Sequence, residues 1–222
     1  MEHRSMYASS AQESAIQTNK VLRSTYMLLS MTLAFSALCA GIAMAVGISR
    51  LASIGFMIGG IVTLFILNRK ANSAAGIGLV FLFTGLFGAA LGPILSFYAG
   101  FANGPSIIMQ ALGGTAIVFL SLSAYALTTK KDFSFLGGFL VVGMVVVLIA
   151  AIANIFFQVP AVFLALNAAI IFIMSGFILF DTSRIINGGE TNYILATVSL
   201  YLNIYNIFTS LLHLLGAFGG DD

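Results

Sequence analysis

Long apolar stretches without charge, separated by short polar connections, dominate the hydropathy pattern of this chain. Seven of them approach or exceed the roughly 20 residues that an α-helix needs to cross the hydrocarbon core of a bilayer. They comprise residues 25–46, 51–67, 76–98, 106–127, 135–157, 160–186 and 193–218. The pattern therefore predicts an all-α integral membrane protein, with seven transmembrane helices between residues 25 and 218.

Composition points to the same class of protein. Charged residues make up 7% of the chain and hydrophobic residues 60%, whereas soluble domains have about 25% charged and 45–50% apolar residues. A soluble domain with so few charges would not hydrate its surface, so we exclude that class. Cys39 is the only cysteine, and neither histidine belongs to a metal-binding motif. We therefore expect no intrachain disulfide, no metal site and no cofactor.

The positive residues are distributed unequally between the two ends of the predicted bundle. Arg50 falls in an alternate connection, whereas the N-terminal segment and every second connection hold the other eight of the nine Lys and Arg residues: Arg4, Lys20, Arg23, Arg69, Lys70, Lys130, Lys131 and Arg184. The positive-inside rule places these eight on the cytoplasmic side. We therefore expect a cytoplasmic tail at residues 1–24, flexible because it is rich in Ser, Ala and Gln, and a periplasmic C-terminal tail at residues 219–222.

Glycines in the third stretch predict where two helices approach each other closely. In the segment GLFGAALG, Gly88 and Gly92 are four residues apart, and Gly85 lies one turn earlier. Small residues at this spacing form a face on which a neighbouring backbone can pack in lipid. Pro93 follows immediately. Because proline lacks a backbone N–H and clashes with the preceding turn, it predicts a bend in this helix.

Polar residues form a stripe along the seventh stretch. Their spacing of 4, 3, 4 and 3 residues keeps them on one helix face, which comprises Ser199, Asn203, Asn206, Ser210 and His213. Because amides in hydrocarbon are costly unless they are hydrogen-bonded, we expect this face to point into the bundle. The short connection NGGETN joins helices six and seven as antiparallel neighbours. Asp181 and Asn203 are therefore expected at comparable depth.

Asp181 has two interpretations at this point. In the first, the aspartate and the stripe are interhelical contacts and nothing more. In the second, Asp181 is an ionisable gate or ion-site residue near the cytoplasmic end, because carboxylates inside a membrane often mark ion or proton paths. Arg184, three residues later on the same helix, complicates the second interpretation, because it can pair with Asp181 and favour its charged form.

Several motifs are specific enough to indicate a family. The segments TTKKDFSFLGGFL, ANIFFQ, GPILSFY and above all GGETNYILATVSLYLNIYNIF resemble the Bax inhibitor-1 family of small membrane proteins, in particular its bacterial branch. The resemblance covers nearly the whole chain. It implies a seven-helix fold with the last helix at the centre, a location in the bacterial inner membrane, and a role as a binding partner and modulator of the membrane AAA protease FtsH.

The resemblance also implies an alternative role, as a pH-sensitive calcium or cation leak gated around Asp181. Family members of that kind carry a pair of aspartates on helices six and seven. Asp181 in LFDTSRI matches the first, but the second position is Asn203 in LYLNIYN. A basic residue after helix two can bridge the pair, and Arg69 is the nearest candidate. Because an amide does not ionise, the coupled titration of two carboxylates is missing, and we expect weak pH sensitivity.

An enzymatic function is not expected. An intramembrane aspartyl protease needs two facing carboxylates, and Asp181 is the one acid well inside a span. Ser175 lacks the flanking glycine pattern of rhomboid proteases. We therefore expect a regulatory membrane protein that contacts the lipid bilayer and FtsH, with calcium as the ligand of the alternative role and no nucleic-acid partner.

Overall fold

The computed structural model describes residues 2–219, with side chains from residue 17 onward. In this part of the chain every regular element is an α-helix: α1 (Glu2–Val46), α2 (Arg50–Lys70), α3 (Ala75–Ala90), α4 (Gly92–Ala99), α5 (Gly104–Thr129), α6 (Leu136–Phe157), α7 (Pro160–Ile186) and α8 (Tyr193–Gly219). Seven stretches are long and apolar enough to cross a membrane, since α3 and α4 together form one of them. The predicted all-α class with seven spans is confirmed.

Helix α8 lies at the centre of the bundle. It packs against α1, α3, α5 and α7, whereas α2 packs mainly on α3, and α6 on α7. In the most hydrophobic stretch of α8, 61% of the residues are buried, compared with 11–44% in the other six spans. Lipid tails are as apolar as leucine, so the outer helices can turn their apolar side chains toward the bilayer at no cost. The last helix therefore occupies the central position that was expected of it.

A seam of small residues joins α1 to the third span. A β-carbon on Gly88 would lie 2.2 Å from the carbonyl oxygen of Ser36, and one on Gly92 would lie 2.8 Å from the β-carbon of Ala43. Atoms cannot approach so closely, so any larger residue at these glycines would push the two helices apart. The predicted small-residue face is confirmed, and we call it the α1–α3 seam.

The third span is interrupted at Leu91. Helix α3 ends at Ala90, and Pro93 is the second residue of α4. The amide of Leu91 donates to the carbonyl of Gly88 over 3.0 Å, which tightens the last turn of α3. The hydroxyl of Ser53 on α2 donates to the carbonyl of Ala90 over 2.6 Å. A side chain from a neighbouring helix thus satisfies the backbone at the break. The interruption lies next to Pro93, where the sequence predicts a bend.

The first helix begins earlier than the sequence predicts. Helix α1 starts at Glu2, well before the predicted start of the first span at Thr25. Val21 and Leu22 pack against the hydrophobic core, which explains the earlier start. Residues 17–24 therefore belong to helix α1 and not to a flexible tail. The side chains of residues 1–16 and the whole of residues 220–222 lie outside the described residues, and the predictions for these tails stay predictions.

Candidate functional site around Asp181

A tight turn sets the register between α7 and α8. Gly188 has φ = +74°, and the amide of Gly189 donates to the carbonyl of Arg184 over 2.8 Å. This is the Schellman arrangement, in which glycine is favoured because other L-residues rarely adopt positive φ. At the start of α8, Oδ1 of Asn192 accepts the amide of Ile194 over 2.8 Å. The turn thus returns the chain antiparallel to α7 with little freedom to slide.

This register brings the single intramembrane acid opposite an amide of the central helix. Nδ2 of Asn203 on α8 donates to Oδ2 of Asp181 on α7 over 2.8 Å. Asn203 is 6% exposed, so its amide has exchanged water for the carboxylate. A hydrogen bond to an ionised group contributes more than one between neutral groups, about 1.5–3 kcal/mol. The expected proximity of the two side chains is therefore observed.

A narrow cleft surrounds the carboxylate of Asp181. Its lining includes Ser199 from the predicted stripe, together with Arg184, Ile185, Glu190 and Ala196. The free space is enough for about one water molecule. In the part of the chain that the structure describes, no three His, Cys, Asp or Glu side chains come together as a metal site would require. The geometry is that of a closed polar contact and not of an open path.

Arg184 does not pair with Asp181, so that expectation is wrong. Its Nη2 lies 3.6 Å from Oε2 of Glu190, and its guanidinium carbon lies 5.5 Å from the ring centroid of Phe180. Within the described residues this is the single ion pair. The long side chain extends past the end of α7 toward the turn, where the partner and water are both available. Because the arginine is 38% exposed, the pair contributes about 0–1 kcal/mol.

Ser183, two residues after Asp181, anchors the connection between α5 and α6. Its fully buried hydroxyl accepts the amide of Phe133 over 2.9 Å and donates to the carbonyl of Lys131 over 3.1 Å. Among the described side chains, the hydroxyl of Thr182 is the one buried polar atom without a hydrogen-bond partner. This role of Ser183 is not predictable from the sequence, because nothing in the local pattern shows that a serine inside a helix caps a distant loop.

A surface carboxylate in the same connection has a lowered pKa. The hydroxyl and the amide of Ser134 both donate to Oδ1 of Asp132. Hydrogen bonds of this kind favour the charged form of a carboxyl group. They hold the pKa of Asp132 below its ordinary value of 3.8.

The other predicted site residues lie away from Asp181. Asn206 donates to the carbonyl of Leu202 on its own helix over 2.8 Å and lines a separate cavity, because α8 rises about 4.5 Å between the two asparagines. Ser210 is buried farther along α8. Arg69 is exposed at the end of α2 and does not line the cleft, so the bridging role expected for it is not observed. The structure brings together Asp181, Asn203, Ser199 and Arg184.

A buried tyrosine that was not among the predicted site residues joins α8 to two neighbouring helices. The hydroxyl of Tyr201, which is 1% exposed, accepts from Oγ of Ser36 on α1 over 2.7 Å and donates to the carbonyl of Thr84 on α3 over 3.2 Å. A tyrosine in the middle of a membrane helix needs such partners, and that requirement is the one signal the sequence offered. Tyr201 thus fixes α8 beside the α1–α3 seam.

The fold and the polar face of α8 can now be compared with known proteins. The family model described as "Inhibitor of apoptosis-promoting Bax1" matches residues 18–220. This chain belongs to that family. The membership predicted from the motifs is confirmed, and the matched range includes both Asp181 and Asn203.

Bacterial relatives of the family are similar over nearly the whole chain. The Escherichia coli (strain K12) protein named modulator of FtsH protease YccA is 54% identical over 203 residues, which are 91% of this chain and 92% of YccA. A membrane protein of Vibrio cholerae, described as uncharacterized, is 52% identical over 214 residues, 96% of each chain. A protein of Pseudomonas aeruginosa is 44% identical over 222 residues, the full length of both. The similarity therefore covers all seven spans and is not confined to single motifs.

Proposed function

We propose that this family member is a bacterial inner-membrane protein that binds and modulates the membrane AAA protease FtsH. The observation that carries the proposal is the 54% identity to YccA over 91% of the chain, because YccA is named as a modulator of that protease. An equally similar relative from another Escherichia coli strain is named an inner membrane protein. The seven apolar spans are consistent with that location.

The distribution of charge supports an orientation with the N-terminus in the cytoplasm. Arg69 and Lys70 lie in the last turn of α2, Lys130 caps α5, and Arg184 lies in the last turn of α7. Because successive spans alternate in direction, all four are at the end of the bundle from which the first span starts. The positive-inside rule assigns that end to the cytoplasm. A chain end on that side is accessible to an ATP-driven protease.

Crosslinking in intact membranes tests the proposal. The tagged chain is crosslinked, solubilised in detergent and purified, and FtsH is detected by immunoblotting. The half-life of the chain is followed in parallel for the full protein, for a deletion of residues 2–16 and for a variant with those residues in scrambled order. We expect FtsH to be enriched with the full chain. We expect slower turnover after the deletion and normal turnover after scrambling, if an accessible end is what the protease engages.

Two results would contradict different parts of the proposal. If FtsH is no more enriched than with an unrelated seven-span protein bearing the same tag, the proposed binding is wrong. If FtsH is enriched but the deletion leaves the half-life unchanged, binding stands and the N-terminal segment has no part in turnover. The deletion ends before Val21 and Leu22, so their contacts with the hydrophobic core are kept.

A second candidate function is a cation leak controlled at Asp181. The observation in its favour is the carboxylate itself, held by Asn203 at the contact between α7 and α8 and open to a cleft that also contains Glu190 and Ser199. Opening such a path requires α7 and α8 to separate at this contact. Because Asn203 does not ionise, protons have one carboxylate to act on instead of a coupled pair.

Calcium flux into liposomes distinguishes the two candidates. The unmodified chain, Asp181→Asn and Asn203→Asp are reconstituted separately, and flux is recorded from pH 5 to pH 8. We expect no steep pH step for the unmodified chain. We expect a step for Asn203→Asp, because two carboxylates at this distance share a proton and titrate together. A steep change in the unmodified chain that Asp181→Asn abolishes would contradict this expectation.

A role without catalysis is part of the proposal. The relatives are named as a protease modulator or as membrane proteins with no stated activity. At Asp181 the partner is an amide, whereas an aspartyl protease requires two carboxyl groups that share one proton. We therefore expect the purified chain to leave a labelled transmembrane peptide intact, as checked by mass spectrometry.

A further inference from the structure

A larger cavity lies at the opposite end of α8 from Asp181. It has a volume of about 620 Å³ and opens between α2, α4, α7 and α8. Its polar lining includes Asn206, Thr209 and His213 on α8, and Nδ1 of His213 lies 2.9 Å from the hydroxyl of Tyr98. A cavity of this size with a few polar groups in an apolar wall is typical of a small-molecule site.

The positive charge of Arg50 indicates which class of ligand this cavity favours. Arg50 lines it and is exposed at the first turn of α2. In the described part of the chain, no carboxylate lies within 4.0 Å of this guanidinium, and no Asp or Glu is among the lining residues. Hard cations prefer carboxylate oxygens and find none here. An unpaired arginine favours an anion, and a phosphate group suits its planar donors.

The position of Arg50 is unusual for this chain. It is the one Lys or Arg that falls outside the basic end of the bundle. Ser53, one turn along α2, bonds to the carbonyl of Ala90 at the helix break, which places the start of α4 at nearly the same depth as Arg50. Pro93 and Ile94, in the first turn of α4, also line the cavity. The first turn of α4 therefore borders the same cavity as Arg50.

The apolar wall of the cavity is open to the bilayer. Met57 is 41% exposed and Phe97 is 57% exposed, and both line the same cavity as Arg50. On a membrane-spanning helix an exposed apolar side chain faces lipid. The cavity therefore connects a basic group near the membrane surface with the hydrocarbon region beside it.

We propose that this cavity binds one anionic phospholipid. The phosphate lies between Arg50 and the first turn of α4, and an acyl chain follows Met57 and Phe97 into the bilayer. Basic pockets between membrane helices bind anionic head groups by the same combination of charge and depth. Nothing in the proposed relation to FtsH requires this site, and its test is independent of that relation.

Native mass spectrometry of the full chain in detergent micelles tests the proposal. Phosphatidylglycerol or phosphatidylcholine is added at equal concentration, and the lipid retained per chain is counted. We expect one phosphatidylglycerol per chain and clearly less phosphatidylcholine. Arg50→Gln should lower the retention about fivefold, since each basic residue near an anionic surface contributes about 1 kcal/mol. Lys70→Gln, at the other end of the same helix, is the matched control and should retain the lipid.

Two further measurements distinguish the binding of a lipid from the binding of a soluble anion. Met57→Trp occupies the apolar part of the cavity and should lower lipid retention without removing a charge, with circular dichroism confirming that each variant is folded. Inorganic phosphate at the concentration of the lipid should displace none of it. Equal retention of the two lipids, equal retention by Arg50→Gln and the unmodified chain, unchanged retention by Met57→Trp, or complete displacement by inorganic phosphate would each overturn the proposal.

Discussion

The two polar regions along α8 share one helix face but are built in opposite ways. Around Asp181 the side chains bond across helices, and the remaining space holds about one water molecule. At the other end, Asn206 bonds to its own helix and the neighbouring space measures about 620 Å³. Residue type alone does not separate the two regions, because both contain an asparagine of α8.

The helices around each region account for the difference. Near Asp181, α7 and α8 are joined by a turn of fixed geometry, and the α5–α6 connection is held by Ser183. Near Asn206, the third span is interrupted at Leu91. An interrupted helix leaves space that continuous neighbours would fill. Polar residues on one stripe therefore become a closed contact or an open cavity according to their surroundings.

The largest expected effect concerns the α1–α3 seam, which holds the two regions in one bundle. Gly88→Leu forces a side chain into the backbone of Ser36 and should destabilise the fold by about 3 kcal/mol or more. Thermal unfolding in detergent micelles measures it. Gly78→Leu on the exposed face of the same helix, where a β-carbon meets nothing within 4 Å, should change the midpoint little. Equal losses for the two variants would show that the seam is not tightly packed.

The next effect compares the two asparagines directly. Asn203→Leu leaves the carboxylate of Asp181 without its donor and should cost about 2–3 kcal/mol. Asn206→Leu should cost less than about 1 kcal/mol, because its amide bonds within α8 and borders an open cavity. Unfolding midpoints of the two variants, measured side by side, check the order. The reverse order would mean that the polar contact at Asp181 contributes nothing to stability.

A smaller effect is expected at two tyrosines one turn apart on α8. Tyr201→Phe removes the hydroxyl that joins α8 to α1 and α3 and should cost about 1–2 kcal/mol. Tyr205→Phe should cost about 0.5 kcal/mol or less, because Tyr205 borders the cavity, where water can replace a lost partner. The same unfolding assay measures both. Similar losses would indicate that the cavity is as tightly closed as the region around Tyr201.

The smallest effect concerns the pKa of Asp132, which lies in the α5–α6 connection that Ser183 anchors. The lowered pKa of Asp132 means that its hydrogen bonds stabilise the fold above the ordinary pKa of 3.8, and that this contribution is lost as the pH falls through the lower folded value. Ser134→Ala should move the pKa of Asp132 back up toward 3.8. Carboxyl-carbon NMR titration measures the change, with the unmodified chain as reference. An unchanged pKa would show that Ser134 does not hold this carboxyl group.

The sequence predicted most of the fold because the membrane limits the choices. Spans follow from apolar length, the close approach of α1 and α3 from Gly88 and Gly92, and the helix break from Pro93. The contacts of Val21 and Leu22 with the core were not predicted, because Arg23 separates these residues from the long apolar stretch. Local composition does not report such packing.

The candidate site was predicted less completely, because helix periodicity gives direction but not depth or neighbours. Asn203 and Asn206 share a face, yet one meets Asp181 and the other meets a cavity. Arg184 has acids on either side, and the turn geometry places Glu190 within its reach. The contacts of Ser183 and Tyr201 cross between distant parts of the chain, and no local pattern encodes them.

The turn after α7 limits how many residues can lie between α7 and α8. Loops normally tolerate the gain or loss of a residue, but here the count between Asp181 and Asn203 is fixed by the Gly188 turn and the Asn192 cap. One added residue would rotate α8 by about 100° and shift it about 1.5 Å, turning the amide away from the acid. We therefore expect the contact between Asn203 and Asp181 to survive only those insertions whose length returns Asn203 to the same face of α8.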